Sequence, residues 1–177
     1  MDLEPRDPEF IAWARKFIIG LRGVNGIIPF RRAWVPANHK LGGFVTSMDG
    51  GKLGFGCSIH SLAIPPDPQE SLDRALCSCK SKISKRNIPA HEALSGKLGA
   101  DALYQILQPL CFDFSLVKLK FYFLMDSTCT LAMLNPQLDL KNMLLANAIS
   151  AFKEKLVDIS IQFPNSVAMI RIRESGR

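Results

Sequence analysis

The sequence predicts an α/β protein built on a five-stranded mixed sheet with helices on both faces. Two alternating apolar runs, at about 42–49 and 53–63, flank Gly50-Gly51, a pair that marks a hairpin turn. A third run at about 74–83 follows closely, so the first three strands are expected to be antiparallel. The later runs, about 117–125 and 167–173, each come after a helical stretch, which calls for crossover connections. At 177 residues the chain is long enough to bury a core between these layers.

The elements can be justified in order. Asp7-Pro8 is an N-cap and first-turn pair, and Phe10, Ile11, Trp13, Ala14, Phe17, Ile18 and Leu21 follow at helical spacing until near Gly23. Residues 25–40, with Pro29 and Pro36, read as an extended connector. After the hairpin, Ile64-Pro65-Pro66-Asp67-Pro68 forms a rigid loop. In the third strand, simple alternation puts Leu76, Ser78, Lys80 and Lys82 on one face and Cys77, Cys79 and Ser81 on the other. A helix over about 89–107 opens on Pro89 and carries Leu94, Leu98, Ala102 and Ile106 on its expected buried stripe. Its Gly96 and Gly99 lower helix propensity and permit close packing on the sheet. Asp126-Ser127 opens a short helix to Leu134, which Asn135-Pro136 breaks, and another helix covers about 140–157. The expected organisation is therefore a helix and connector over 1–40, then one folded domain over 41–177.

Composition excludes several classes. Apolar residues make up 47% of the chain and the mean hydropathy is near zero, which fits a globular protein rather than a disordered one. Lys, Gly or Pro interrupts every long apolar stretch well short of a membrane span. The start, Met1-Asp2-Leu3-Glu4-Pro5-Arg6, is acidic and contains Pro, unlike a signal peptide. An intracellular location, cytoplasmic or nuclear, without a membrane partner is expected. Five cysteines (57, 77, 79, 111 and 129) are an odd number without metal-finger spacing, and Cys77-Ser78-Cys79 lacks the two-residue gap of a zinc knuckle. Reduced thiols are the reading.

The net charge of +6 is concentrated. Lys80, Lys82, Lys85 and Arg86 cluster before Glu92, and Arg31, Arg32, His39 and Lys40 form a second group. Basic clusters beside a carboxylate suit a polyanion, and they also suit an ordinary solvated edge strand.

Three carboxylates occupy matching settings. Asp49 ends the strand-like run Phe44-Val45-Thr46-Ser47-Met48, Glu92 stands where the Pro-led helix begins, and Asp126 ends the apolar run Phe121-Tyr122-Phe123-Leu124-Met125. Acids in the order strand, helix, strand can converge on a divalent ion, as a metal-dependent nuclease requires. Each also has a plainer role: Glu92 can favour the helix dipole, Asp126 can be an N-cap, and Asp49 can be a turn residue. His91 reads as a surface residue at the helix start, and His39 and His60 have no evident partner.

These segments resemble a type 1 ribonuclease H domain of Pao/BEL-type retrotransposon polyproteins. The resemblance covers roughly 26–177. It rests on Val35-Pro36-Ala37-Asn38-His39-Lys40, Leu53-Gly54, Lys80-Ser81-Lys82, Ile88-Pro89-Ala90-His91-Glu92 and Asp126-Ser127-Thr128. It implies a ribonuclease H-like fold, with the leading helix as a tether to the reverse transcriptase domain of the same polyprotein. It further implies Asp49, Glu92 and Asp126 as catalytic ligands of two Mg²⁺ (or Mn²⁺) ions. The implied substrate is an RNA–DNA hybrid, cleaved in its RNA strand during reverse transcription and contacted by Lys80, Lys82, Lys85, Arg86 and Ser127.

The sequence departs from the family in two places. The family's first Asp falls about seven residues before the equivalent of Gly54, a position held here by Ser47, with Asp49 on the same strand face. The family also continues beyond the last strand into a fourth carboxylate, so the domain is expected to be C-terminally incomplete. A catalytically degenerate remnant that binds nucleic acid or connects domains is the alternative. A retrotransposon peptidase is excluded, because Asp126-Ser127-Thr128 lacks the Gly of an aspartic peptidase turn and Asp49-Gly50-Gly51 lacks its hydroxyl residue.

Overall fold

The computed structural model describes residues 33–110, 118–125 and 142–172. The expected helices near 10–21 and 126–134 fall outside these residues, as does the chain end. In chain order the elements are β1 (Lys40–Gly50), β2 (Gly54–Ile64), β3 (Asp73–Ile83), α1 (Ile88–Leu107), a 3-10 turn (Gln108–Leu110), β4 (Lys120–Met125), α2 (Met143–Gln162) and β5 (Val167–Ile172). They form one five-stranded sheet in the order β3-β2-β1-β4-β5. β1–β2 and β2–β3 are antiparallel, while β1–β4 and β4–β5 are parallel. This mixed order is that of the ribonuclease H-like fold, as the sequence predicts. Among the described residues no helix is long and apolar enough to cross a membrane.

Alternation along the strands builds the core. Phe44, Met48, Cys57, Ile59, Phe121, Phe123 and Met125 meet Ala100, Leu103 and Leu107 of α1 and Phe152 and Ile159 of α2 in one buried cluster. Edge-on ring contacts lock it, with Phe123–Phe152 and Phe121–Phe163 centroids both 5.7 Å apart. Both described helices pack on this face, and among the described residues no helix covers the other. Trp34, before β1, packs edge-on against Phe44, and its carbonyl accepts the Ser61 hydroxyl at 2.5 Å.

Each of the two described α-helices begins at an Asn cap. The Asn87 side chain accepts the Ala90 amide at 3.0 Å, ahead of Pro89, and Asn142 accepts the amides of Leu144 and Leu145. Asn142 thus sets the start of α2 at Met143, later than the expected 140. Its end lies beyond the expected 157, because Ile159 and Phe163 are buried and carry the helix through a β-branched stretch of modest propensity.

The buried stripe of α1 is rotated from the expected one. Ala93, Gly96, Gly99, Ala100, Leu103 and Leu107 are buried, whereas Leu94, Leu98 and Ile106 lie half-buried on the flank. The glycines cause the rotation by letting the helix sit on the sheet. A Cβ at Gly99 would lie 2.6 Å from Met48 Sδ and 3.0 Å from Thr46 Cγ2. Gly99→Ala is therefore expected to destabilise the fold by about 1–3 kcal/mol through overpacking, more than the helix-propensity gain of about 0.5–1 kcal/mol restores. Urea unfolding checks this, and a variant as stable as the parent would mean that α1 is not held at that distance.

The expected facing of β3 is broken by a bulge. Ile59 pairs with Ser78 but His60 pairs with Leu76, so Cys77 is an extra residue. Leu76 consequently shares a face with Cys79 and Ser81, and Lys80 and Lys82 lie on the helix side.

Candidate active site at the β1–α1 junction

The site is built where the end of β1 meets the second turn of α1. Asp49 pairs with Gly56 across β1–β2, next to Met48, which points into the core. Alternation turns Asp49 to the opposite face, where it is exposed. There it lines a groove of about 230 Å³ with Ser47, Ser58, Cys79, Ser81 and Leu124. Ser47 and Asp49 thus share one groove, as their spacing predicts.

Glu92 is reached through Gly50, the residue after Asp49. Gly50 is pressed against the first turns of α1, and a Cβ there would overlap the Glu92 amide nitrogen and the His91 carbonyl carbon. Only a glycine permits this main-chain contact. Glu92 itself is half-buried, between buried His91 and Ala93, and its carbonyl accepts the Ser95 hydroxyl at 2.7 Å.

Next to β1, β4 runs parallel with Met48 opposite Met125. Each of these methionines is followed in the chain by an acid, Asp49 and Asp126. Asp126 and Ser127 lie outside the described residues. Among the described residues no three potential ligands form a metal cluster.

His91 corrects the sequence reading, because it is fully buried rather than at the surface. Its Nδ1 lies 2.5 Å from the Gly51 carbonyl, the geometry of an N–H donor, and the Phe55 ring packs 5.7 Å from its own. Nε2 is buried without a partner among the described residues. His91 therefore ties α1 to the turn that follows Asp49. The signal in the sequence is the spacing to Ser95, Gly99 and Ala102, at steps of four, four and three from His91, but only the buried stripe of α1 shows that this is the face that meets the sheet.

The basic residues Lys80, Lys82, Lys85 and Arg86 are all exposed. Lys80 Nζ donates to the neutral Gln105 Oε1 of α1 at 2.6 Å, so its charge stays uncompensated among the described residues. Lys82 pairs with Phe55 on edge strand β3 and lines a shallow depression with Asp49, Gly51, Phe55 and Ile83. None of the four has an ion-pair partner among the described residues. Elsewhere, His39 Nδ1 lies 3.1 Å from the Ala37 carbonyl, a local contact within the lead-in. Cys57, Cys77 and Cys79 are free thiols, and burial pushes Cys57 and Cys77 above the usual thiol range.

No protein-family model matches the sequence, and no curated protein does. Solved structures that resemble the chain include ribonuclease H1 of Halobacterium salinarum, 13% identical over 75% of this chain and 87% of that one, with a TM-score of 0.45. The N-terminal ribonuclease H domain of Mycobacterium tuberculosis Rv2228c is 14% identical over 76% and 87% of the two chains, at 0.44. The foamy viral protease–reverse transcriptase, solved with RNA/DNA hybrid, is 9% identical over 82% of this chain and 19% of that one, at 0.40. The fold assignment rests on the order and polarity of the strands.

Proposed function

We propose that this chain is a metal-dependent endonuclease that cleaves the RNA strand of RNA–DNA hybrids during retrotransposon reverse transcription. The observation that supports the reading is the junction itself. Asp49 ends β1, Gly50 brings that end onto the backbone of Glu92, and β4 lies alongside in a register that leads directly to Asp126 in the sequence. These donors are hard carboxylate oxygens, one exposed and one half-buried, which fit Mg²⁺ or Mn²⁺ in a two-ion site. When bound, such ions activate water and stabilise the leaving oxygen of an in-line displacement. Asp49, Glu92 and Asp126 would hold them.

The chain's own contribution is placement. Close packing at Gly50 and the His91–Gly51 contact hold the end of β1 against the first turns of α1, the backbone from which the two described carboxylates project. Lys80, Lys82, Lys85 and Arg86 supply uncompensated charge for backbone phosphates, with Ser127 as a further contact by resemblance. Residues 1–40 would then tether the domain to a reverse transcriptase in the same polyprotein. Incubating the full chain with hybrid and Mg²⁺ or Mn²⁺ tests the activity. Intact RNA with both metals at high enzyme concentration would end the enzymatic reading.

Hybrid binding is expected to weaken with salt, each phosphate contact adding about 0.9 to the slope of log K against log salt. Lys82→Glu with Lys85→Glu should flatten that slope by roughly 1–2 units. An unchanged slope and affinity would remove the basic cluster from the binding surface.

One observation favours a second reading, a degenerate remnant that binds without cleaving. Ser47 holds the strand position where the family has its acid, and Asp49 faces away from α1. Salt-sensitive binding without cleavage in either metal is the result that selects it.

A further inference from the structure

We propose that the sheet face opposite α1 carries a phosphoryl-group site formed by Ser47, Ser58, His60 and Arg74. The strand register puts the four side chains on one face. Ser47 pairs with Ser58 and Val45 with His60 across β1–β2, while Leu62 pairs with Arg74 and His60 with Leu76 across β2–β3. Together with Val45 and Leu124 they line a pocket of about 330 Å³.

The chemistry of the lining selects the ligand class. Two hydroxyls, an imidazole and a guanidinium converge, and no carboxylate is among the lining residues. That set suits an acceptor-only anion, because Arg donates in a fork and the hydroxyls and imidazole add single donors. Val45 and Leu124 give the pocket an apolar floor, which lowers the local dielectric and strengthens those contacts. His60 is held below the ordinary histidine range, first by burial and second by the Arg74 charge. An anion between the two favours the charged imidazole and so offsets both effects.

The flanking groups orient the site. Toward the β1 end, the adjoining groove holds Asp49 and Cys79. Toward the other side, Arg74 shares a pocket with Tyr122 of β4 and Arg171 of β5, and the Arg171 guanidinium stands 6.0 Å from the Tyr122 ring centroid. The anion therefore belongs at the Arg74 end, away from Asp49. Its source is either free phosphate or a backbone phosphodiester. The site stands on its own lining and does not depend on nuclease activity.

Proton NMR of the histidine rings in the full chain tests the site, with His60 assigned through His60→Gln. Inorganic phosphate, titrated at constant ionic strength against chloride, is expected to raise the His60 pKa by roughly half to one unit, saturably. The ring signals of His39, outside the pocket, are the reference and should not respond to phosphate. Arg74→Gln should weaken phosphate binding about tenfold, with the amide spectrum otherwise preserved. Ser58→Ala, expected to weaken it less, serves should the Arg74 variant fail to fold. A thymidine tetranucleotide giving the same rise identifies the backbone as the source, and a rise with inorganic phosphate alone identifies the free ion. The proposal is overturned when neither ligand moves His60, or when both folded variants respond as the parent does.

Discussion

Glu92→Gln is expected to abolish hydrolysis of RNA–DNA hybrid, lowering kcat by about 10³-fold or more while leaving the fold intact. The amide keeps the shape of the side chain but removes the charge that anchors a divalent cation, and several kcal/mol of transition-state stabilisation go with it. Glu92 is only half-buried, so the substitution leaves no cavity. Asp126→Asn should match it. Asp49→Asn separates the two accounts of the site. A ligand at Asp49 predicts a loss as complete as the others, whereas a turn residue predicts cleavage at the parental rate. Single-turnover cleavage of labelled hybrid in Mg²⁺ and in Mn²⁺ measures all three. A Glu92→Gln protein that cleaves normally would detach the activity from this junction.

Gly50→Ala is expected to cost about 2–4 kcal/mol of stability. The added Cβ meets main-chain atoms of His91 and Glu92, which cannot rotate aside as a side chain can. Either β1 or the first turns of α1 must move, which separates Asp49 from Glu92. Cleavage is thus expected to fall together with Tm, by roughly 5–15 °C, although neither carboxylate has changed. The neighbouring Gly51 is the control, because a Cβ there has nothing within 4 Å. Thermal melts of the two variants decide the matter. Equal stability for Gly50→Ala and Gly51→Ala would show that the close approach does not hold the junction.

Much of the fold was legible in residue order alone. Gly50-Gly51 between two alternating runs specified the β1–β2 hairpin, and strand bounds fell close to those expected, because a hairpin is written in local turn chemistry and a period of two. Pro89 marked the start of α1, since its fixed φ suits a first helical turn, and the structure adds Asn87 as the cap. The parallel crossover of β4 followed from its helical connection, which is too long for a hairpin, while its place beside β1 is a finding of the structure.

The setting of the candidate site was legible in part. Residue type and spacing proposed Asp49 and Glu92, but not the approach of Gly50 to the main chain of His91 and Glu92, because a glycine shows in sequence without showing what presses on it. The imidazole of His91 was misread for a similar reason, since helical spacing gives a stripe without fixing which edge of it meets the sheet.

What the sequence by itself determined, then, was the succession of elements, their polarity and the chemistry-bearing residue types, all of which depend on short-range periods and caps. Tertiary structure decided the rotation of α1, set by Gly99 against Met48 and Thr46. It also decided the bulge at Cys77, which parts Leu76 from the face of Lys80 and Lys82, and the extension of α2 to Gln162 over buried Ile159. It gathered Ser47, Ser58, His60 and Arg74 from three strands into one pocket. Each of these is a relation between surfaces remote in the chain. Periodicity constrains one surface at a time, and only packing at contact distance selects how two of them meet.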